Sequence, residues 1–271
     1  MNWGMTLILV TNDDGVFSPG LRAAAESVAG LGDLLIAAPR AQQTGMSRAL
    51  PGGEEVGIIE ECTVLIHGKP HPAYGIHASP AMAVVYAILE LAPRKPGLCI
   101  SGINYGENIG MTISASGTVG AALEASVFRI PALAISQEAP LPLHRAPEYG
   151  DLDWGTACYV TRLLATRVLQ RGLPHGVDML NINVPDKATP QTEIRATIQS
   201  QQAHVYFSAP GPRDFAGGFG LPLIKTVNEL TLEPDSDIKA LLYDHVVSVS
   251  PLTGRLAAPG ALPALRDRLE L

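Results

Sequence analysis

Two adjacent acidic residues, Asp13 and Asp14, follow the apolar run at residues 5–11 and precede Gly15. Neighbouring carboxylates repel each other unless a cation or hydrogen-bond donors compensate their charge. A hard divalent cation such as Mg²⁺ or Mn²⁺ would compensate it, because such ions prefer oxygen ligands. A simpler interpretation is that these short polar side chains cap a turn. The acid pair is therefore a candidate metal site, and its interpretation depends on its neighbours.

Two other segments have the composition of ligand-binding loops. The loop at residues 40–47 supplies the hydroxyls of Thr44 and Ser47. The segment GINYGENIG at 102–110 places Asn104 and Asn108 among glycines. Amide oxygens are neutral ligands for hard cations or can orient a phosphate, and the glycines allow close approach. Each segment taken alone is equally consistent with an ordinary turn.

The segment SGTVGAALEA at 116–125 opens a helix with Ser116, Gly117 and Thr118. Free backbone N–H groups, the positive end of the helix dipole and two hydroxyls predict an anion site that needs no lysine. The segment lacks the Gly-Lys-Ser/Thr ending of a P-loop, so the sequence disfavours ATP hydrolysis. Serine is also an ordinary helix N-cap, and that alternative stays open for this segment alone.

The elements that must position these residues alternate between strand and helix. We predict strands at 5–11, 33–39, 97–101, 131–136 and 178–185, and helices at 18–32, 79–93, 116–129 and about 151–171. This alternation predicts a doubly wound, mainly parallel, Rossmann-like α/β sheet with right-handed crossovers. Ligands bind such sheets at the carboxyl ends of the strands. The acid pair and the loops would share that rim, an arrangement suited to metal-assisted phosphate chemistry.

The rest of the chain is predicted to be rich in β-structure. Residues 54–77 are expected to form a β-hairpin insert, and short β-like runs broken by Pro and Gly follow residue 187. We therefore predict an α/β catalytic core at 1–186 and a β-rich C-terminal lobe at 187–271 with a terminal helix at 263–271. The lobe would belong to the same domain or act as an oligomerisation arm. The stretch GPRDFAGGFG at 211–220 is a candidate flap.

The amino-acid composition indicates what kind of protein this is and argues against several kinds of partner. The 271 residues are 46% hydrophobic and carry a net charge of −7 without a basic stripe, which indicates a globular protein and argues against polymeric nucleic acid as a partner. Three widely spaced cysteines argue against a disulfide scaffold or a thiolate zinc site. The start of the chain lacks a basic signal region, and the apolar segment at 82–92 is too short to span a bilayer. We expect a cytoplasmic protein with no membrane partner.

Together, these segments resemble the SurE (survival protein E) family of metal-dependent 5'/3'-nucleotidases. The segments that carry the resemblance, in family order, are ILVTNDDGVFSPG, APRAQQTGMS, SGINYGENIG, SGTVGAALEA, LNINVP and VSVSPL. The resemblance implies one divalent metal ion per subunit, Mg²⁺ or Mn²⁺. Its ligands would be Asp13, Asp14 and Asn104, which would also be the catalytic residues, with Thr44 where the family usually has a serine ligand. Ser116, Gly117 and Thr118 match the phosphate-contacting block, and Asn108 matches an asparagine of the adjoining loop.

The function that the resemblance implies is hydrolysis of nucleoside 5'- and/or 3'-monophosphates, with short polyphosphate as a further candidate substrate, by a homodimer or homotetramer. Met82 stands where the family commonly has an aspartate, and Ala115 where a tyrosine usually precedes SGTV. These departures favour the alternative of a catalytically weak nucleotide- or phosphate-binding protein. A nicotinamide-dependent enzyme is disfavoured, because the first strand leads into NDDG and not GxGxxG. No histidine falls inside a matched segment. One of them could reach the site as a proton donor, but we expect the histidines to be structural or solvated.

Overall fold

Eleven strands are present in the described part of the computed structural model, which comprises residues 6–145, 149–214, 216, 220–255 and 259–269. In chain order they are β1 (Leu7–Thr11), β2 (Asp33–Pro39), β3 (Ile59–Ile66), β4 (Lys69–Ile76), β5 (Leu98–Tyr105), β6 (Ala132–Gln137), β7 (Met179–Val184), β8 (Ile194–Ala196), β9 (Val205–Phe207), β10 (Leu223–Lys225) and β11 (Val247–Leu252). The α-helices are α1 (Pro19–Val28), α2 (Pro80–Tyr86), α3 (Gly117–Val127), α4 (Gly155–Arg171) and α5 (Leu262–Leu269).

The main sheet has a parallel centre with antiparallel additions at its two sides. Its order among the described residues is β3-β4-β2-β1-β5-β6-β7-β11-β8. The strands from β4 to β7 in that order are mutually parallel, whereas β3 runs antiparallel to β4 and β11 antiparallel to β7. The strands β9 and β10 pair separately as an antiparallel hairpin. The predicted doubly wound, mainly parallel sheet with a hairpin insert is confirmed.

Helices cover both faces of the parallel centre. Helices α1 and α4 bury residues such as Leu21 and Val160 against one face, and α2 and α3 bury residues such as Val84 and Val119 against the other. Strands that are covered on both faces have continuous apolar sequences, and β1 is an example. Helix α1 begins where its sequence indicates, because the hydroxyl of Ser18 accepts a hydrogen bond from the N–H of Leu21 at 3.1 Å.

One predicted boundary is wrong. The strand expected at 97–101 continues to Tyr105, so Asn104 lies on a strand and not in a loop. A bulge between Ser101 and Asn104 lets β5 resume pairing with β6. Gly102 makes this possible, because it has a φ of +134° and a Cβ at this position would lie 2.3 Å from the carbonyl oxygen of Ile135.

The C-terminal part of the chain contributes to both sheets. Strands β8 and β11 belong to the main sheet, and the division of the chain at residue 186 stays a prediction. The terminal helix is present as α5. Residues 215 and 217–219 of the candidate flap lie outside the described residues, as do residues 1–5 at the start of the chain. In the described ranges, no helix is long and apolar enough to cross a membrane.

Candidate active site at the carboxyl ends of the strands

The acid pair lies directly after β1 and is buried. Asp13 is 2% exposed and Asp14 is 1% exposed. Asn12 shapes this turn, since its Nδ2 donates to Ser18 Oγ at 2.6 Å and its Oδ1 accepts from the N–H of Gly15 at 3.2 Å. Gly15 has a φ of +105°, which side-chain-bearing residues rarely adopt. The end of β1 is therefore tied to the start of α1, and the two carboxylates point into the protein.

Neutral groups from three other segments hold the two carboxylates. Thr118 Oγ1 donates to Asp13 Oδ1 at 2.6 Å, and the N–H of Thr118 also faces Asp13. Gln42 Nε2 donates to Asp14 Oδ1 at 3.2 Å, and the N–H of Tyr105 donates to Asp14 Oδ2 at 3.4 Å. Among the described residues, no ion pair reaches either carboxylate.

The electrostatics of the pair favour a bound cation. Burial raises the pKa of Asp13 to about 6. Burial, together with the adjacent charge of Asp13, raises the pKa of Asp14 to about 8. The ionised pair is therefore unstable without a positive charge, and a divalent cation would supply that charge.

The other two predicted ligands lie beside the acid pair. Asn104 Nδ2 donates to the carbonyl oxygen of Gly106 at 2.7 Å, which leaves the amide oxygen of Asn104 as an acceptor. Thr44 Oγ1 donates to the carbonyl oxygen of His144 at 3.4 Å. Within the described residues, no group of three or more His, Cys, Asp or Glu side chains could hold a metal. The candidate set is thus two carboxylates with neutral oxygens, a donor set that fits a hard cation such as Mg²⁺.

A cavity of about 270 Å³ lies over these residues. The predicted site residues that line it are Asp13, Thr44, Asn104, Asn108 and Ser116. Asp14, Gly117 and Thr118 are buried beside the lining residues. At Gly117, a Cβ would lie 2.7 Å from the Cβ of Asp13, so only glycine lets α3 approach the acid pair this closely. The structure therefore brings all the predicted site residues into one region.

The start of α3 has two distinct polar functions. Ser116 is the N-cap, and its Oγ accepts from the N–H of Val119 at 3.1 Å. The hydroxyl of Thr118 is fully buried and engaged with Asp13, so it orients that carboxylate. The positive end of the helix thus faces the same cavity as the acid pair, which suits an anionic ligand.

Asn108 is fixed by strands β6 and β7. Its N–H donates to Asn183 Oδ1 at 2.7 Å, and its Nδ2 donates to Ser136 Oγ at 2.9 Å. Its carbonyl oxygen accepts from Asn181 Nδ2 at 2.8 Å and from Asn183 Nδ2 at 2.9 Å. This network holds the loop that follows β5 rigidly against the ends of two neighbouring strands.

Glu107 connects the site to the β9–β10 hairpin. It is 6% exposed, and its Oε1 accepts from His204 Nε2 at 3.1 Å and from Lys225 Nζ at 2.9 Å. Its Oε2 has no hydrogen-bond partner among the residues that the structure describes, and it lies 3.8 Å from His144 Nε2. Burial acts to raise the pKa of Glu107, but the hydrogen bonds from His204 and Lys225 outweigh it and lower the pKa to about 2. Glu107 is therefore a buried, ionised anchor for the hairpin.

Comparison with known proteins identifies the family. The family model described as "Survival protein SurE" matches residues 8–206. This chain belongs to the SurE family. A protein of Methanothrix thermoacetophila named 5'-nucleotidase SurE is 37% identical over 98% of this chain and 100% of its own length. The protein of the same name from Methanothermobacter thermautotrophicus is 43% identical over 70% of this chain and 71% of its own length.

A solved structure gives the same result for the fold. The crystal structure of the SurE protein from Aquifex aeolicus matches with a TM-score of 0.74 at 26% sequence identity, covering 98% of this chain and 100% of that chain. The predicted fold and the predicted family are therefore both confirmed.

The two departures from the SurE pattern occupy different environments. Ala115 lines the cavity, so a small side chain stands where the family usually has a tyrosine. Met82 lies in the first turn of α2, where its N–H donates to the N-cap oxygen of Ser79 at 3.1 Å. Only the Ala115 departure changes the wall of the cavity described above.

Sequence reasoning did not place one carboxylate and two histidines in the lining of the cavity. Glu107, His144 and His204 all line the cavity, although the histidines were expected to be structural or solvated. Glu107 carried a usable signal, since it is the only charged residue of the glycine-rich segment at 102–110. His144 and His204 lie in connections with no local pattern, and only the folded chain brings them to Glu107.

Proposed function

We propose that this chain is a divalent-metal-dependent phosphomonoesterase that hydrolyses nucleoside 5'- and/or 3'-monophosphates to nucleoside and phosphate. The observation that carries the proposal is the buried Asp13–Asp14 pair, which has no cationic partner among the described residues and shares a cavity with the N-terminus of α3. Membership of the SurE family and relatives named 5'-nucleotidase SurE support the choice of substrate.

The proposed roles of the residues follow from their positions. Asp13, Asp14 and Asn104, with Thr44, would hold one divalent metal ion, Mg²⁺ or Mn²⁺. When bound, that ion polarises a phosphate oxygen and activates or positions a water molecule. The start of α3 at Ser116 and Gly117 binds the phosphate and stabilises the negative charge that develops on it. Thr118 keeps the Asp13 carboxylate in one orientation, and Asn108 fixes the opposite wall.

The test is release of inorganic phosphate from a panel of 5'- and 3'-nucleoside monophosphates, with Mn²⁺ or Mg²⁺ and with EDTA. We expect release that requires the metal and that ranks the substrates in one experiment. Release that is unaffected by EDTA would contradict the proposed metal dependence. If folded protein that is shown to bind Mn²⁺ releases no phosphate from any substrate of the panel, that result would contradict the proposed hydrolysis.

A catalytically weak nucleotide-binding protein is the second candidate. Ala115 favours it, because the cavity wall lacks the side chain that the family usually places there. Saturable binding of AMP in the presence of Mn²⁺, without phosphate release over many hours, would support this candidate and exclude the first. Short polyphosphate belongs in the same panel as a further proposed substrate.

We also propose a cytoplasmic homodimer or homotetramer. Free cysteines at 62, 99 and 158 suit a reducing compartment. Helix α5 leaves the side chains of Leu262, Leu265 and Leu269 exposed, which is a surface suited to a second copy of the chain. Light scattering coupled to gel filtration would measure the assembly, and a monomer at micromolar concentration would contradict this proposal.

A further inference from the structure

The β9–β10 hairpin presents an apolar face to the cavity. Its two strands pair so that Val205 lies opposite Lys225 and Phe207 opposite Leu223. Side chains of cross-strand partners share one face of a hairpin. Val205, Phe207 and Leu223 all line the cavity, whereas Tyr206 and Ile224 alternate with them on the other face. The hairpin thus turns one defined surface towards the active site.

Phe207 is unusually exposed for an aromatic residue at a cavity. It is 66% exposed, although its cross-strand partner Leu223 and the nearby Leu141 line the same space. An exposed aromatic ring beside aliphatic side chains, continuous with a polar site, is typical of a surface that receives a flat apolar group. The polar part of the same lining comes from the strand ends and the start of α3, where the phosphate is proposed to bind.

The hairpin is held over the cavity by defined contacts. His204 precedes β9 and Lys225 ends β10, and both donate to the buried carboxylate of Glu107. Glu107 is adjacent to Asn108, which strands β6 and β7 fix in place. The apolar face therefore has a fixed position relative to the phosphate site, as a surface that selects substrates requires.

We propose that the hairpin face formed by Val205, Phe207 and Leu223 binds the base of the substrate nucleotide, with the base stacked on the ring of Phe207. This inference rests on the proposed function, because it assigns the base to the same cavity that holds the phosphate. Phe207 and Leu223 lie beyond residue 206, where the match to the family model ends. The subsite makes the chain selective for phosphate esters that carry a planar base.

The test compares AMP with ribose 5-phosphate, which has the same phosphate and sugar but no base. In Phe207→Ala, we expect kcat/KM for AMP to fall about tenfold, as for one base stacked on an aromatic ring, and kcat/KM for ribose 5-phosphate to stay unchanged. Tyr206→Ala is the matched control, because Tyr206 is on the same strand but faces away from the cavity and is 45% exposed. We expect that variant to leave both substrates unaffected.

Two readouts separate the base subsite from the proposed hydrolysis. Equal losses for both substrates in Phe207→Ala, or no loss for AMP, would overturn the subsite while leaving the phosphatase intact. Binding of adenosine, measured by calorimetry, needs neither phosphate nor turnover. We expect the Kd for adenosine to rise about tenfold in Phe207→Ala but not in Tyr206→Ala. An unchanged Kd would overturn the subsite even if the protein hydrolyses no phosphate ester.

Discussion

The hydroxyl of Thr118, in the first turn of α3, donates a 2.6 Å hydrogen bond to the carboxylate of Asp13, at the end of β1. The helix that faces the proposed phosphate position and the acid that would bind the metal are therefore held in one arrangement. Gly117 allows this contact, because a Cβ there would meet Asp13. The metal site and the anion site are thus parts of one structure.

Replacing Asp13 should abolish metal-dependent hydrolysis. In Asp13→Asn, we expect kcat/KM for the best nucleotide to fall more than about a hundredfold, because a metal ligand is lost. Circular dichroism should show an unchanged fold, since the neutral side chain keeps its size. Asp186→Asn, at an exposed carboxylate whose nearest cation is Lys187 at 3.8 Å, is the control and should retain full activity. An active Asp13→Asn protein would exclude Asp13 as a ligand.

The metal-free protein should become less stable as the pH rises. The pKa values of Asp13 and Asp14 in the folded state, about 6 and about 8, lie above their ordinary values, so folding binds protons at this pair. The stabilisation is complete below the ordinary pKa and is lost as the pH rises through these two values. In EDTA, we expect Tm to fall by about 5 °C or more between about pH 5.5 and pH 8.5.

Two comparisons test whether the fall of Tm with rising pH comes from the acid pair. Mn²⁺ should raise Tm most at the alkaline end, where both carboxylates are ionised and bind the cation most strongly. Asp14→Asn should flatten the slope, whereas Asp186→Asn should leave it unchanged. A slope that persists in Asp14→Asn would place its origin elsewhere in the protein.

Removing the hydroxyl of Thr118 should weaken metal binding and slow turnover. Thr118→Val keeps the shape of the side chain but loses the hydrogen bond to Asp13, and we expect a loss of about 10- to 100-fold in metal affinity or kcat/KM. Thr118→Ser restores a donor and should recover most of the loss. Thr156→Val is the control, because Thr156 is also buried, at 9% exposed, but donates to the carbonyl oxygen of Ala188, away from the site. Equal losses of metal affinity and kcat/KM in Thr118→Val and Thr156→Val would indicate that Thr118 has a purely structural role.

Replacing Glu107 should release the hairpin. Glu107→Gln removes the charge that holds Lys225 and His204, and we expect a loss of about 1–3 kcal/mol in the free energy of unfolding. Hydrogen exchange should speed up at residues 205–207 and 223–225 more than in β1 or β5. Glu193→Gln, which breaks the surface pair with Arg195, is the control and should not change exchange in the hairpin. Unchanged hydrogen exchange at residues 205–207 and 223–225 in Glu107→Gln would show that other contacts hold the hairpin.

The sequence predicted the fold, and it predicted that the candidate site residues lie together at one edge of the sheet, because both depend on local signals. Apolar runs of strand length, Ser-Pro helix starts and polar residues at strand ends identify the sheet and its functional edge. The extension of β5 to Tyr105 escaped prediction, because a bulge at Gly102 restores pairing within a segment that reads as a loop. His144 and His204 escaped because their position depends on contacts with Glu107 across long sequence separations. The division at residue 186 stays a prediction.

The cavity is lined by residues of the main sheet and its helices and by residues of the separate β9–β10 hairpin. The acids, Asn104 and the start of α3 are built into the main sheet and its helices, whereas the β9–β10 hairpin forms its own small sheet and reaches the site through Glu107. Replacement of Val205, Phe207 and Leu223 would therefore leave the catalytic edge undisturbed as long as His204 and Lys225 keep their contacts to Glu107. With the base bound on the hairpin as proposed, the substrate range can change through the hairpin independently of the reaction, which makes the hairpin the natural place to re-engineer selectivity.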